Sequence, residues 1–216
     1  MAESGTKPTP RERYRVQVRT EIKERAWEQI ATAGATALSL NAIAKQMGMS
    51  GPALYRYFAS RDDLITELIR DGYRSLADTI RAAAGSGADL AALAHALRGW
   101  ALQDPQRYFL VYGTPVPGYH APEDITTIAS EIMSALLDAC AALTSDGPAE
   151  PFTTHLEDHR QWADGHPAPP AALRRALTFW TRLHGVLSLE LAGHFNGMGF
   201  DPALLFAAEL DALTAH

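Results

Sequence analysis

Apolar residues recur at three- and four-residue spacing along nearly the whole chain, and no stretch sustains the alternation of β-branched and polar residues that a half-buried strand needs. The pattern predicts an all-α protein. A first helix runs from about Arg11 to Ala33, with Val18, Ile22, Trp27 and Ile30 near one stripe, and Gly34 stands where a left-handed residue can end it. Ser39 is placed to cap a short helix through Met47, and another short helix follows Gly48-Met49-Ser50 as far as Phe58. Ser60 caps a longer helix whose first turn, Arg61-Asp62-Asp63-Leu64, sets two acids against the positive end of the helix dipole.

That helix breaks at Ala84-Gly85-Ser86-Gly87, Asp89 starts the next, and Pro105 stops it near Gln103. A short aromatic helix with Tyr108, Phe109 and Tyr112 then runs into a kinked loop through Pro115, Pro117 and Gly118 to Pro122. A helix from about Glu123 to Leu143 carries Ile125, Ile128, Ile132, Met133, Leu136 and Leu137. Ser145 to Pro170 reads as a long, partly helical excursion or mobile loop. Two helices close the chain, about Ala171 to Phe195 and Asp201 to Leu213, the last with Asp201 at the cap and Pro202 at the first helical position. The expected organisation is a basic tail and small helical domain over 1–60, a connecting helix over 61–84, and a larger helical domain over 85–216.

The chain has 216 residues, 47% of them apolar and 20% charged, which suits a folded globular protein. No uninterrupted apolar run approaches the roughly 18 residues that cross a bilayer, and the N-terminus is polar where a secretory signal is apolar, so a cytoplasmic location is expected. A single cysteine, Cys140, excludes an internal disulfide framework and reads as a small buried side chain. The net charge of -6 hides an asymmetry: residues 1 to 61 hold ten Lys/Arg, Lys7 among them, against five Asp/Glu, and the rest holds nine against twenty. A basic head on an acidic body is what a DNA-binding module joined to a different kind of domain would show.

The head contains SLNAIAKQMGMSGPALYRYF, Ser39 to Phe58. Two short helices crossing steeply round a tight turn need a small residue at the crossing and a residue tolerant of positive φ in the turn; Ala44 and Gly48 supply them. Leu40, Ile43, Met47, Met49, Leu54 and Phe58 sit at suitable spacing for a shared core. The series Ile22, Ala26, Ile30, Gly34, Ser39, Ile43-Ala44, Gly48-Met49-Ser50, Leu54-Tyr55, Tyr57-Phe58, Arg61 and Leu64 resembles the DNA-binding domain of the TetR family of bacterial transcriptional regulators over about residues 14 to 75. Tyr57 stands where that family often has histidine, and Arg61 where lysine is usual.

The resemblance implies roles. Ser39 would hold a phosphate. Ser50, Gly51, Pro52, Ala53 and Tyr55 would face the major groove of double-stranded operator DNA, and Tyr57 and Arg61 would meet the backbone. Lys45 and Arg56 would approach phosphates if their helix faces allow, solvated charges being the other reading. Long bidentate side chains are scarce there, so specificity would rest on van der Waals contacts, water and DNA shape.

In the acidic body, Phe179 to Phe195 (FWTRLHGVLSLELAGHF) resembles a C-terminal domain of some TetR-like regulators, in which this body binds a small effector and makes the homodimer. Leu173, Ala176, Leu177, Trp180, Leu183 and Leu187 form one stripe, and Phe179, Val186 and Leu189 another. Two sides of one helix therefore want burial, and Thr181, Gly185, Ser188 and Ala192 form a small-residue row. Phe179, Arg182, Gly185, Val186 and Leu189 are the expected dimer contacts, packing within the chain being the other reading. An effector cavity is expected among Trp100, Tyr108, Phe109, Tyr112, Met133, Leu137, Trp180 and His184, where a broken helix leaves room for an uncharged or weakly polar organic molecule. Plain core packing is the alternative for each, and for His184 a structural hydrogen bond.

Three other functions compete with this one. An enzyme would need a nucleophile elbow, a glycine-rich phosphate loop or paired carboxylates, and the sequence has none of these signatures, so neither catalysis nor a cofactor is expected. A metal sensor is suggested only by His155, His159 and His166, which read more simply as exposed histidines, and no metal site is expected. The strongest rival to an effector-released repressor is a dimeric DNA-binding protein whose body serves only assembly or a protein partner.

Overall fold

A computed structural model describes residues 9–85, 89–113, 122–143 and 150–215. The basic tail with Lys7, the Pro115–Pro117–Gly118 loop and the first part of the expected excursion lie outside them. The described residues form ten α-helices and two 3₁₀ turns and no strand, as the hydrophobic periodicity predicts. Between Ile69 and Arg70 the chain passes from one compact unit into a second.

In the first unit, α1 (Pro10–Ala33) opens on a reciprocal cap: Thr9 Oγ1 accepts from the Glu12 amide at 3.3 Å, and Glu12 accepts from the Thr9 amide at 2.7 Å. It buries Val18, Ile22, Ala26 and Ile30 and ends at Gly34, φ +78°. A 3₁₀ turn (Ala35–Ala37) leads to α2 (Leu40–Gln46) and α3 (Gly51–Leu54), with Gly48 at φ +64° between them. Turn hydrogen bonds carry the helical path past α3, since Tyr57 and Phe58 both donate to Leu54 O. Ile22, Ile43, Leu54, Phe58, Leu64, Ile65 and Leu68 are fully buried and tie these elements to the start of α4 (Arg61–Gly85). Ser60 Oγ accepts from the Asp63 amide at 3.0 Å, and Asp63 accepts from the Ala59 amide at 2.9 Å, so α4 has its own cap.

The second unit holds the rest of α4, then α5 (Leu90–Gln103), α6 (Pro105–Tyr112), α7 (Glu123–Ala142), α8 (Pro151–Asp158), α9 (Pro170–Leu191) and α10 (Pro202–Thr214). Helix α9 packs against α5, α7, α8 and α10. It stops short of Phe195 because Gly193 takes positive φ. Gly72 lets α4 meet α6 closely: a Cβ there would lie 2.7 Å from Val111 Cγ2. Helix α7 is long and apolar enough to cross a membrane by length and composition, which a count of uninterrupted apolar residues overlooks. Here its apolar stripe, Ile125 to Cys140, is buried in the core, and its acids meet α4: Asp124 pairs with Arg70, and Glu131 with Arg74 at 2.9 Å and with Arg81.

Candidate functional site

The helix-turn-helix presents a polar and aromatic face. Leu54 and Phe58 point inward, while Ser50, Pro52, Arg56 and Lys45 are exposed and Gly51, Ala53 and Tyr57 are half-buried. Tyr55, 47% exposed, is a large aromatic that the unit's own core does not use. Ser39 Oγ accepts from the Ala42 amide at 3.3 Å as the cap of α2, and the Ser39 amide donates to Gln29 Oε1 at 3.0 Å. Asn41 and Ala42, beside it, are also exposed.

Two arginines hold this face from behind. Arg61, expected on the DNA backbone, turns its guanidinium onto main-chain carbonyls: Nη2 donates to Ala35 O at 2.8 Å and Thr36 O at 3.3 Å, and Nε donates to Leu38 O at 3.1 Å. Its donors bind the turn between α1 and α2, so a phosphate would have to compete with three carbonyls. Arg19, which the sequence marks only as one basic residue among ten, donates to Tyr57 O, lies 4.2 Å over the Phe58 ring and pairs with Glu67 at 3.2 Å. It fixes the end of the segment that follows α3. Its partners are 38 and more residues away along the chain, beyond the reach of local pattern.

In the second unit, an aromatic cluster forms between α4, α6 and α9. Tyr108 is fully buried, its hydroxyl 3.0 Å from His184 Nδ1 and 2.9 Å from Ser188 Oγ. The Tyr112 ring lies 4.5 Å from His184 and 5.6 Å from Trp180, and Tyr73 closes on it edge-to-face at 5.8 Å. Two polar atoms in this cluster, Tyr112 OH and His184 Nε2, are buried without a hydrogen-bond partner. Burial pushes the His184 pKa down to about 4, so the ring is neutral at physiological pH, and burial likewise raises the Tyr108 and Tyr112 phenols.

The eight expected effector residues do not surround one open cavity. Tyr108, Tyr112, Trp180 and His184 gather, with Phe109 edge-on to Tyr108 at 5.5 Å. Leu137 is fully buried core, Met133 packs partly buried against that core, and Trp100 is buried with its indole donating to Ser75 Oγ at 3.1 Å. A void lined by Leu76, Ile80, Leu93, Leu97, Ile132, Leu136, Phe179 and Trp180 has a free volume of about 10 Å³, room for about one water. Tyr73 and Ser75 carry no mark of a site in the sequence, and Ser188 only that of a small residue on α9. Each matters through a partner on another helix.

The expected dimer residues also separate. Phe179 and Val186, expected at an interface, are buried inside the unit against its own core, whereas Leu189 of the same stripe is not covered by it. Arg182 is exposed and pairs with Glu209 of α10 at 3.4 Å. Gly185 is exposed, as are Thr181 and Ala192, and Leu189 is 44% and Leu204 of α10 70% exposed. The histidines do not converge. His155 and His159 stack with nearly parallel rings 3.9 Å apart, and His166 faces Asp138 at 3.2 Å.

Residues 22–68 match the family described as bacterial regulatory proteins, tetR family, and residues 90–213 match the tetracyclin repressor-like C-terminal domain. The chain belongs to the TetR family. The HTH-type transcriptional regulator Rv1816 of Mycobacterium tuberculosis is 38% identical, the match covering 93% of this chain and 92% of that one. The crystal structure of the putative regulatory protein SCO4313 is 74% identical with a TM-score of 0.89, covering 96% of this chain and all of its own. A protein of unknown function from Rhodococcus sp. RHA1, 22% identical with a TM-score of 0.67, shares the fold. The protein is thus a TetR-type transcriptional regulator, its DNA-binding domain being the unit that carries α2 and α3.

Proposed function

We propose that the protein is a homodimeric repressor, acting in the cytoplasm, that leaves a pseudo-palindromic operator when a small uncharged organic molecule enters the aromatic cluster of its second unit. The observation that carries the effector half is the pair of buried, unpartnered polar atoms, Tyr112 OH and His184 Nε2. An unmade hydrogen bond in a buried site costs about 1–3 kcal/mol, and a ligand that makes it recovers that cost. Neutral His184 favours an uncharged ligand. The exposed Gly185, Leu189 and Leu204 supply a surface on α9 and α10 for a second copy. On the DNA face, Ser50, Pro52 and Tyr55 approach bases, Ser39, Lys45, Arg56 and Tyr57 approach phosphates, and Arg61 positions the turn without touching DNA.

The small size of the void favours a second reading, a body that serves assembly or a protein partner alone. Selecting an operator from random duplex DNA and following its release by fluorescence anisotropy across a metabolite panel separates them. A compound that weakens DNA binding by wild type but not by Tyr112→Phe supports the effector reading. Release by no compound, with Tyr112→Phe indistinguishable from wild type, supports the second.

A further inference from the structure

The outer part of α1 has no task in the unit it belongs to. Residues 9–17 are all exposed, and burial begins only at Val18. A helix projecting this far into water without packing is marginal on propensity alone, yet this one starts on a complete reciprocal cap between Thr9 and Glu12. The face that α1 buries further along, Val18, Ile22, Ala26 and Ile30, continues outward at helical spacing as Arg15, Tyr14 and Arg11. Where the buried stripe would need apolar residues it carries two arginines and a tyrosine. Arg13 falls on the opposite side.

Charge sharpens the point. Arg11, Arg15 and Arg19 repeat at four-residue spacing, an arrangement that destabilises an isolated helix by repulsion. Arg19 is neutralised by Glu67, and Glu12 is engaged with Thr9, whereas no carboxylate among the described residues pairs with Arg11 or Arg15. Position follows from Arg19, which donates to Tyr57 O and lies over Phe58. The projecting turns therefore start beside the end of the recognition segment, and at 1.5 Å per residue Arg11 stands about 12 Å further out. The match to the tetR family model covers residues 22–68, past these two turns.

We propose that the first two turns of α1 are a second DNA-binding site, in which Arg11 and Arg15 bind backbone phosphates flanking the stretch read by α3 and Tyr14 lies against the same backbone. The ligand is duplex DNA outside the core half-site, bound by charge and without base readout.

The test measures intact protein by anisotropy on two duplexes carrying a selected operator, one trimmed to the core site and one extended by a helical turn on each side. Wild type should bind the extended duplex more tightly, and the Arg11→Ala, Arg15→Ala double variant should bind both alike. On the extended duplex the slope of log affinity against log salt should fall by about 2 per protomer in the double variant, so a fourfold rise in salt costs wild type roughly tenfold more per protomer. Arg13→Ala, also exposed but on the other face, should keep the flank preference and most of the slope. Unchanged thermal melting is expected for both variants, since these residues are exposed. Equal loss in Arg13→Ala would reduce the effect to net charge, loss on both duplexes alike would place the contact inside the core site, and a changed sedimentation coefficient without changed DNA binding would make the partner another copy of the chain. Each of these overturns the proposal.

Discussion

Replacing Arg61 separates a structural arginine from a phosphate contact. Its guanidinium makes two short hydrogen bonds to the turn, to Ala35 O at 2.8 Å and Leu38 O at 3.1 Å, a third and longer one to Thr36 O at 3.3 Å, and an exposed contact with Asp62 at 3.4 Å. Net contributions of about 1 kcal/mol for each short bond, with the third largely replaced by water, give about 2 kcal/mol for Arg61→Ala. Arg61→Lys keeps the charge but not the fork, and should lose about half of that. Urea unfolding followed by circular dichroism reads the stability. Salt-dependent anisotropy at a temperature where both variants stay folded reads the DNA contacts. The expected result is a clear loss of stability with an unchanged salt slope. Wild-type stability with a slope lowered by about 1 per protomer would refute the positioning role and restore the phosphate contact.

Tyr112→Phe removes a buried hydroxyl that has no partner, and without ligand should leave thermal stability unchanged or raise it by up to about 1 kcal/mol. A loss above that would mean the hydroxyl is bonded in solution. His184, neutral in the fold with its pKa down at about 4, lets the unfolded chain take up a proton first. Its contribution is complete above about pH 6.5 and is lost as pH falls from there toward 4, a loss on the order of 3 kcal/mol at most. Denaturant titrations of wild type against His184→Gln should show the variant's pH dependence flattened in that window. Gly72→Ala drives a Cβ to within 2.7 Å of Val111 Cγ2 and should cost about 1–3 kcal/mol, with Val111→Ala relieving part of the loss in the double variant.

The caps show why so many element ends are legible in the sequence. Asp89 and Asp201-Pro202 act through the next two or three residues, so the helix starts they imply at Leu90 and Pro202 are local chemistry, as is the stop at Gln103 ahead of Pro105. The helix-turn-helix is local in the same sense: Ala44 and Gly48 lie four residues apart. Arg61 is different, because its acceptors lie 23 to 26 residues back and only the folded turn brings them together. A pattern of charges records that an arginine is present but not which oxygen it meets. Phe179 and Val186 carry the same lesson for apolar groups. Two stripes on α9 require two coverings, but periodicity does not tell a partner's surface from the chain's own core and α10. Within the excursion before α9, α8 and the Gln161–Ala163 turn are short and lean on Leu156 and Ala163 reaching the core, a contact with little local trace.

The most direct measurement is the selection of bound sequences from random duplex DNA by the intact protein, run in parallel with Tyr55→Ala. Tyr55 is the large exposed aromatic of the face proposed to enter the groove. Wild type should enrich an inverted repeat, its half-sites spaced to meet one face of the duplex, and Tyr55→Ala should lose or change that enrichment while folding normally. No enriched sequence, a single asymmetric site, or the same repeat recovered equally well by Tyr55→Ala would contradict this expectation.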